Sequence, residues 1–156
     1  ACAENCKYCA QSAHHKAKID VFPLMSAEQI LAEAKKVYEN GVRTFGIVTS
    51  GTGYLKADDK DFQSILKAID LIYQNYPDME VCASIGILSE ETAKALADRK
   101  IVHFNMNLQV NPKRYKELIA DTHSVEDRIN TVKLLKKKKL LSFRMFLRNQ
   151  TISLVV

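Results

Sequence analysis

Three short apolar runs, TFGIVT at 44–49, MEVCASI at 79–85 and IVHFNMNL at 101–108, alternate with stretches whose apolar residues recur every three or four positions. This alternation constrains the fold most, because strand, helix and strand in succession pack as a unit with parallel strands. The helical stretches carry their own boundaries. Over 26–40, Ser26 and Gln29 fit a capping box, Ile30, Leu31, Ala34, Val37 and Tyr38 form an apolar stripe, and Gly41 is placed to end the helix. Over 59–75, Phe62, Ile65, Leu66, Ile69, Ile72 and Tyr73 repeat at helical spacing until Pro77 stops the pattern. Ser89 is an N-cap for 89–99, and Ser124 with Asp127 caps 124–138. The expected fold is α/β, with parallel strands and right-handed crossovers that bring the loops beginning at Ser50, Gly86 and Leu108 to one edge. Ligands gather at that edge in both the open sheet and the barrel, and the pattern is compatible with either. At 156 residues a barrel of eight strand–helix units would be partial.

Composition narrows the class. A hydrophobic fraction of 47% is enough for one domain with its own core. No run of about 18 apolar residues and no apolar leader occur, so no membrane partner is expected and the expected location is cytoplasmic. The net charge of +5 comes largely from four consecutive lysines at 136–139, while the other basic residues alternate with acids, so no nucleic-acid partner is expected. The two glycines of SGTGY, at 50–54, mark a loop passing close to a ligand or a tight turn.

Three of the four cysteines, Cys2, Cys6 and Cys9, stand within ACAENCKYC as CxxxCxxC. Such clustering suits a metal site in a reducing compartment better than a disulfide framework. Three thiolates on a loop can hold three irons of an iron–sulfur cube and leave the fourth iron open to a substrate. The competing readings are a closed zinc site completed by His14 or His15, and a redox disulfide between Cys6 and Cys9. The disulfide fits less well, because no strand precedes these residues.

CxxxCxxC with an aromatic residue, Tyr8, before its last cysteine resembles the signature of the radical S-adenosylmethionine (SAM) superfamily. The longer string ENCKYCAQSAHH is similar to the biotin synthase family in particular. The likeness continues through FGIVTSGTG, VCASIGILSEE, FNMNLQVNP and HSVEDRINTVKLLK, spanning roughly residues 2–139. The resemblance implies a (β/α)8 TIM-type barrel, partial here, with a radical SAM core at 1–139 and a divergent tail at 140–156. It implies a 4Fe-4S cluster on Cys2, Cys6 and Cys9, whose open iron chelates SAM. Reductive cleavage then yields a 5′-deoxyadenosyl radical, which removes hydrogens from dethiobiotin before sulfur from a second, 2Fe-2S cluster is inserted. Tyr8, Asn105, Asn107 and Arg128 are the implied cofactor-binding residues: Arg128 for the SAM carboxylate, the asparagines for the ribose and the ureido ring. The implied partners are dethiobiotin, an electron donor such as flavodoxin or ferredoxin, and a second copy in a homodimer. Read without the family, Arg128 pairs with a neighbouring acid, Asn105 and Asn107 satisfy strand ends, and His103 and His123 are ordinary polar or packing residues.

The chain also departs from the family pattern. Cys82 matches one ligand of the second cluster, Gly46 stands where another cysteine belongs, and no cysteine follows Cys82. Gln109 stands where the family carries an acid. After Leu140 the pattern stops, just past the lysine run, so the expectation is a truncated or frameshifted member. A VCSGG-like segment found in another frame of the coding DNA would bear this out, and its absence from all three frames would sink it. Two alternatives follow: a radical SAM homologue with the primary cluster and no sulfur transfer, and a noncatalytic cluster-binding fragment.

Overall fold

The computed structural model describes residues 2–138 and 140. Strands β1 (Thr44–Val48), β3 (Glu80–Ser84) and β5 (His103–Phe104) form one parallel sheet in that order. Two shorter strands, β2 (Gly53–Tyr54) and β4 (Ile87–Leu88), pair in parallel beside it. Helices α1 (Ala27–Glu39), α2 (Lys60–Asn75) and α3 (Glu90–Asp98) alternate with the main strands. After β5 come a 3₁₀ turn (Pro112–Arg114), the single turn α4 (Tyr115–Leu118) and α5 (Val125–Lys137).

The order β1-β3-β5 is consistent with the partial barrel expected from the sequence. Each crossover steps to the next strand in one direction, with no reversal, so the same-handed connections set the helices on one face. That is the winding of a barrel arc. Phe45, Ile47, Val81, Ala83 and Phe104 point to the helix face and are 0–2% exposed, where Ile30, Phe62, Ile65, Ile69 and Leu96 meet them. Each such side chain contributes about 1.5–3 kcal/mol by leaving water. Residues of the opposite parity face the inside of the arc: Gly46 pairs with Cys82, and Cys82 with His103.

The caps form as the sequence requires. Ser26 and Gln29 close a reciprocal box at α1, Ser124 and Asp127 do so at α5, and Ser89 caps α3 with Thr92. The strand expected over 101–108 pairs only at His103–Phe104, since its far edge has no hydrogen-bonded neighbour among the described residues. Of the SGTGY glycines, Gly51 has open space where a Cβ would stand and a φ of +134°, while Gly53 answers to backbone packing. A Cβ on Gly53 would lie 2.1 Å from the Ile87 carbonyl oxygen, and one on Gly86 would lie 2.5 Å from that of Thr52. The loops after β1 and β3 are therefore pressed together at the carboxyl edge of the sheet. Leu140 is buried in the main core; residues 141–156, most of the expected tail, lie outside the described residues. No helix among the described residues is long and apolar enough to cross a membrane.

Candidate active site at the cysteine loop

The cysteine segment is docked and internally braced. Cys2 N–H donates to Gln11 O, and Ala13 N–H donates back to Cys2 O, both at 2.8 Å, so the segment closes on itself. Lys7 N–H donates to Ile119 O at 2.8 Å, and Asn5 exchanges hydrogen bonds with Asp121 and Thr122. Below these contacts lies a second small core in which Cys6 packs with Tyr115, Ile119, Ala120 and Val125. The loop is thus held on the segment between α4 and α5, more than a hundred residues away.

Cys2, Cys6 and Cys9 line one cavity of about 140 Å³, which also takes in Arg128 and the pressed-together loops at Thr49–Thr52 and Gly86–Ile87. Tyr8 lies at its rim, 55% exposed. All three thiols are unpaired. Burial pushes the Cys6 thiol up; Arg128 draws it down, while Cys2, Cys9 and Glu4 push it further up. Three sulfurs that repel one another as anions, with one guanidinium among them, form a site whose charge balance calls for a cation.

Arg128 is held by two of its three nitrogens. Nη1 donates to the Asn107 carbonyl oxygen at 2.8 Å, and Nη2 donates to His123 Nε2 at 3.2 Å. Its Nε is buried with no hydrogen-bond partner. A buried, unmatched N–H on a residue that lines the thiol cavity is a donor that an anionic ligand group would satisfy.

The donor set therefore fits an iron–sulfur cluster with a chelating ligand at its open corner. No three His, Cys, Asp or Glu side chains among the described residues gather as they would around a single ion. His14 Nε2 meets Ala3 O at 3.1 Å and His15 Nε2 meets Cys6 O at 3.0 Å. Both rings are engaged in bracing the loop, and neither lines the cavity as a fourth zinc ligand would.

The other expected site residues lie elsewhere. Asn105 and Asn107 follow β5 on the inner face of the arc and do not line this cavity; Asn107 reaches it only through the carbonyl that holds Arg128. Cys82 stands on that same inner face, its thiol pushed up to about 11 by burial and by Glu80. Its register partners are Gly46 and His103, and a Cβ at Gly46 would meet nothing within 4 Å. Among the described residues Cys82 is the one thiol in this row, and one thiol does not by itself hold a second cluster.

Two residues missed by the sequence reading are Glu4 and His123. Glu4, between the first two cysteines, accepts hydrogen bonds from Thr52, Thr122 and His123. Burial alone would raise its pKa, but those three donors outweigh burial and hold the carboxyl below its usual range. Composition carries no signal for this pairing; only the fold brings residue 4 to residue 123. A neighbouring cavity of about 550 Å³ shares Gln11, Thr49 and Ser50 with the first and is walled by Val21, Phe22 and Tyr54.

Comparison with known proteins agrees with this geometry. The family model of the Radical SAM superfamily matches residues 1–154. The chain is 54% identical over 136 residues to a biotin synthase of Chlorobium luteolum, covering 87% of this chain and 41% of that protein. It is 52% identical over 139 residues to a biotin synthase of Pelodictyon phaeoclathratiforme, covering 89% and 41% respectively. The chain thus spans about two-fifths of the length of the curated relatives it matches. The X-ray structure of the FeFe-hydrogenase maturase HydG from Carboxydothermus hydrogenoformans superposes with a TM-score of 0.70 and 25% identity, over 88% of this chain and 31% of that one.

Proposed function

This chain belongs to the radical SAM superfamily, and from that premise we propose that it is the cluster- and SAM-binding part of a biotin synthase-like enzyme. The observation that carries the reading is the one cavity lined by Cys2, Cys6, Cys9 and Arg128, an arginine whose Nε is buried and unmatched. Cys2, Cys6 and Cys9 hold the 4Fe-4S cluster, and Arg128 binds the carboxylate of SAM. When bound, the cluster supplies the electron that cleaves SAM reductively to the 5′-deoxyadenosyl radical. Tyr8 covers the rim of the thiol cavity, and the larger cavity next to it receives the nucleoside. Asn105 and Asn107, on the inner face of the arc, face the substrate side. Dethiobiotin is the substrate, a flavodoxin or ferredoxin the electron donor, a second copy of the chain the partner, and the cytoplasm the location. We further propose the boundary between radical SAM core and tail at residues 139 and 140.

A second reading is favoured by the row of Gly46, Cys82 and His103. With one thiol on the inner face, the radical step proceeds without sulfur transfer. One experiment separates the two: the anaerobically reconstituted chain is incubated with SAM, dithionite and dethiobiotin, and the products are quantified by mass spectrometry. 5′-Deoxyadenosine together with biotin supports the first reading. 5′-Deoxyadenosine alone supports the second, and no SAM cleavage on a loaded cluster overturns both.

A further inference from the structure

Glu4 and His123 are separated by 119 residues and lie side by side, His123 Nδ1 2.5 Å from Glu4 Oε2. Their side chains are 9% and 4% exposed. On its other side, His123 Nε2 lies 3.2 Å from Arg128 Nη2 and 2.8 Å from Tyr115 Oη. The chemistry of the two charged partners, Arg128 and Glu4, fixes the direction of their bonds to the ring. A guanidinium has no acceptor, so His123 Nε2 accepts from Arg128. A carboxylate has no donor, so His123 Nδ1 carries the hydrogen and gives it to Glu4. The ring is therefore a bridge, with a carboxylate on the cysteine loop at one end and the guanidinium at the other.

Arg128 is then clamped from two directions, by His123 on Nη2 and by the Asn107 carbonyl on Nη1. Both clamps lie on the terminal nitrogens, and they leave Nε as the unmatched donor. Glu4 also takes the Thr52 hydroxyl, so the loop after β1 is tied to the same point. We propose that Glu4 and His123 are positioning residues: they fix the Arg128 guanidinium relative to the cysteine loop, so that its Nε edge meets a carboxylate held next to the thiols. The ligand class, an amino-acid carboxylate, rests on the function proposed above; the clamp itself does not.

The full chain without metal, labelled with ¹⁵N, tests the clamp by itself. The expected spectra show His123 protonated at Nδ1 with Nε2 as acceptor, and separate Nη1 and Nη2 signals for Arg128 because rotation about its Nε–Cζ bond is hindered. In His123→Leu and Glu4→Ala those signals merge while backbone shifts far from the loop stay in place. His123→Gln, which offers an amide oxygen where Nε2 stood, restores the separation. Protonation at Nε2 in the unaltered chain, or unchanged Arg128 signals in a folded His123→Leu variant, overturns the proposal; should that variant fail to fold, the tautomer and the His123→Gln spectrum decide it. The second arm uses the reconstituted chain. SAM affinity falls roughly tenfold in His123→Leu, with iron content unchanged and partial recovery in His123→Gln. Unchanged affinity overturns positioning toward SAM. If the unaltered chain itself binds no SAM, the functional reading fails, and the Arg128 spectra still decide the clamp.

Discussion

Two regions of this molecule carry cysteines that a family pattern assigns to iron–sulfur clusters, and they are built in opposite ways. At the cysteine loop, three thiols lie within nine residues and are surrounded by support. Glu4 binds Thr52, Thr122 and His123; Lys7 and Asn5 pin the loop to residues 119–122; Cys6 is seated in its own small core. On the inner face of the sheet, Cys82 stands in register between Gly46 and His103, with open space at Gly46. Strand pairing alone sets residues abreast, whereas a ligand set needs several donors converging and a surrounding layer that orients them.

The sharpest way to break this contrast is to delete the thiols one at a time. Alanine at Cys2, Cys6 or Cys9 reduces reconstituted iron from about four per chain to near none, and alanine at Cys82 leaves it unchanged. Iron analysis reads both, and a reversed pattern would mean that the two regions have been assigned the wrong way round. The next largest effect distinguishes the two faces of the sheet. Phe104→Ala empties a fully buried position and costs about 3–5 kcal/mol in urea unfolding, while Asn105→Ala, on the exposed side, stays within about 0.5 kcal/mol.

Cys82 adds a contrast in reactivity. Its thiol, raised to about 11, is protonated at neutral pH, so its thiolate fraction grows as pH rises toward that value. In a chain with the other cysteines replaced by alanine, alkylation at pH 8 is roughly 100-fold slower than for an unburied thiol and accelerates with pH. Alkylation at the rate of an unburied thiol would mean that the inner face is wetter than the packing describes. The smallest expected effect is at the guanidinium. Arg128→Met removes a charge-assisted hydrogen bond worth about 2 kcal/mol and weakens SAM binding roughly 30-fold, with iron content retained. Titration calorimetry measures it, and an unaltered affinity would remove Arg128 from the binding site.

How much of this was legible in the sequence depends on how local each feature is. Helix positions and caps came through because a capping box is written within four residues, as Ser26 with Gln29 and Ser124 with Asp127 show. The parallel sheet was legible from the alternation of periods, but its winding was not. The order β1-β3-β5 is a long-range choice with no trace in any single window. The strand at 101–108 was read too long, because apolar residues that follow β5, such as Met106, are buried without being paired. The glycines of SGTGY were legible as special, yet the reason at Gly53, the backbone of Ile87 lying against it, required the second loop. The thiols and Arg128 could be named from motifs. The bridge of Glu4 and His123 could not, since a buried acid and a histidine 119 residues apart look like two ordinary polar residues until the loop docks.

The central claim is that the opening thiols of this chain build an open-iron cluster beside an arginine that binds SAM. The most direct measurement is iron and acid-labile sulfide per chain after anaerobic reconstitution, with an absorption spectrum recorded before and after adding SAM. About four irons and four sulfides, with a spectrum that changes on adding SAM, is the predicted result. Zinc in place of iron, or a cluster whose spectrum does not respond to SAM, would contradict it.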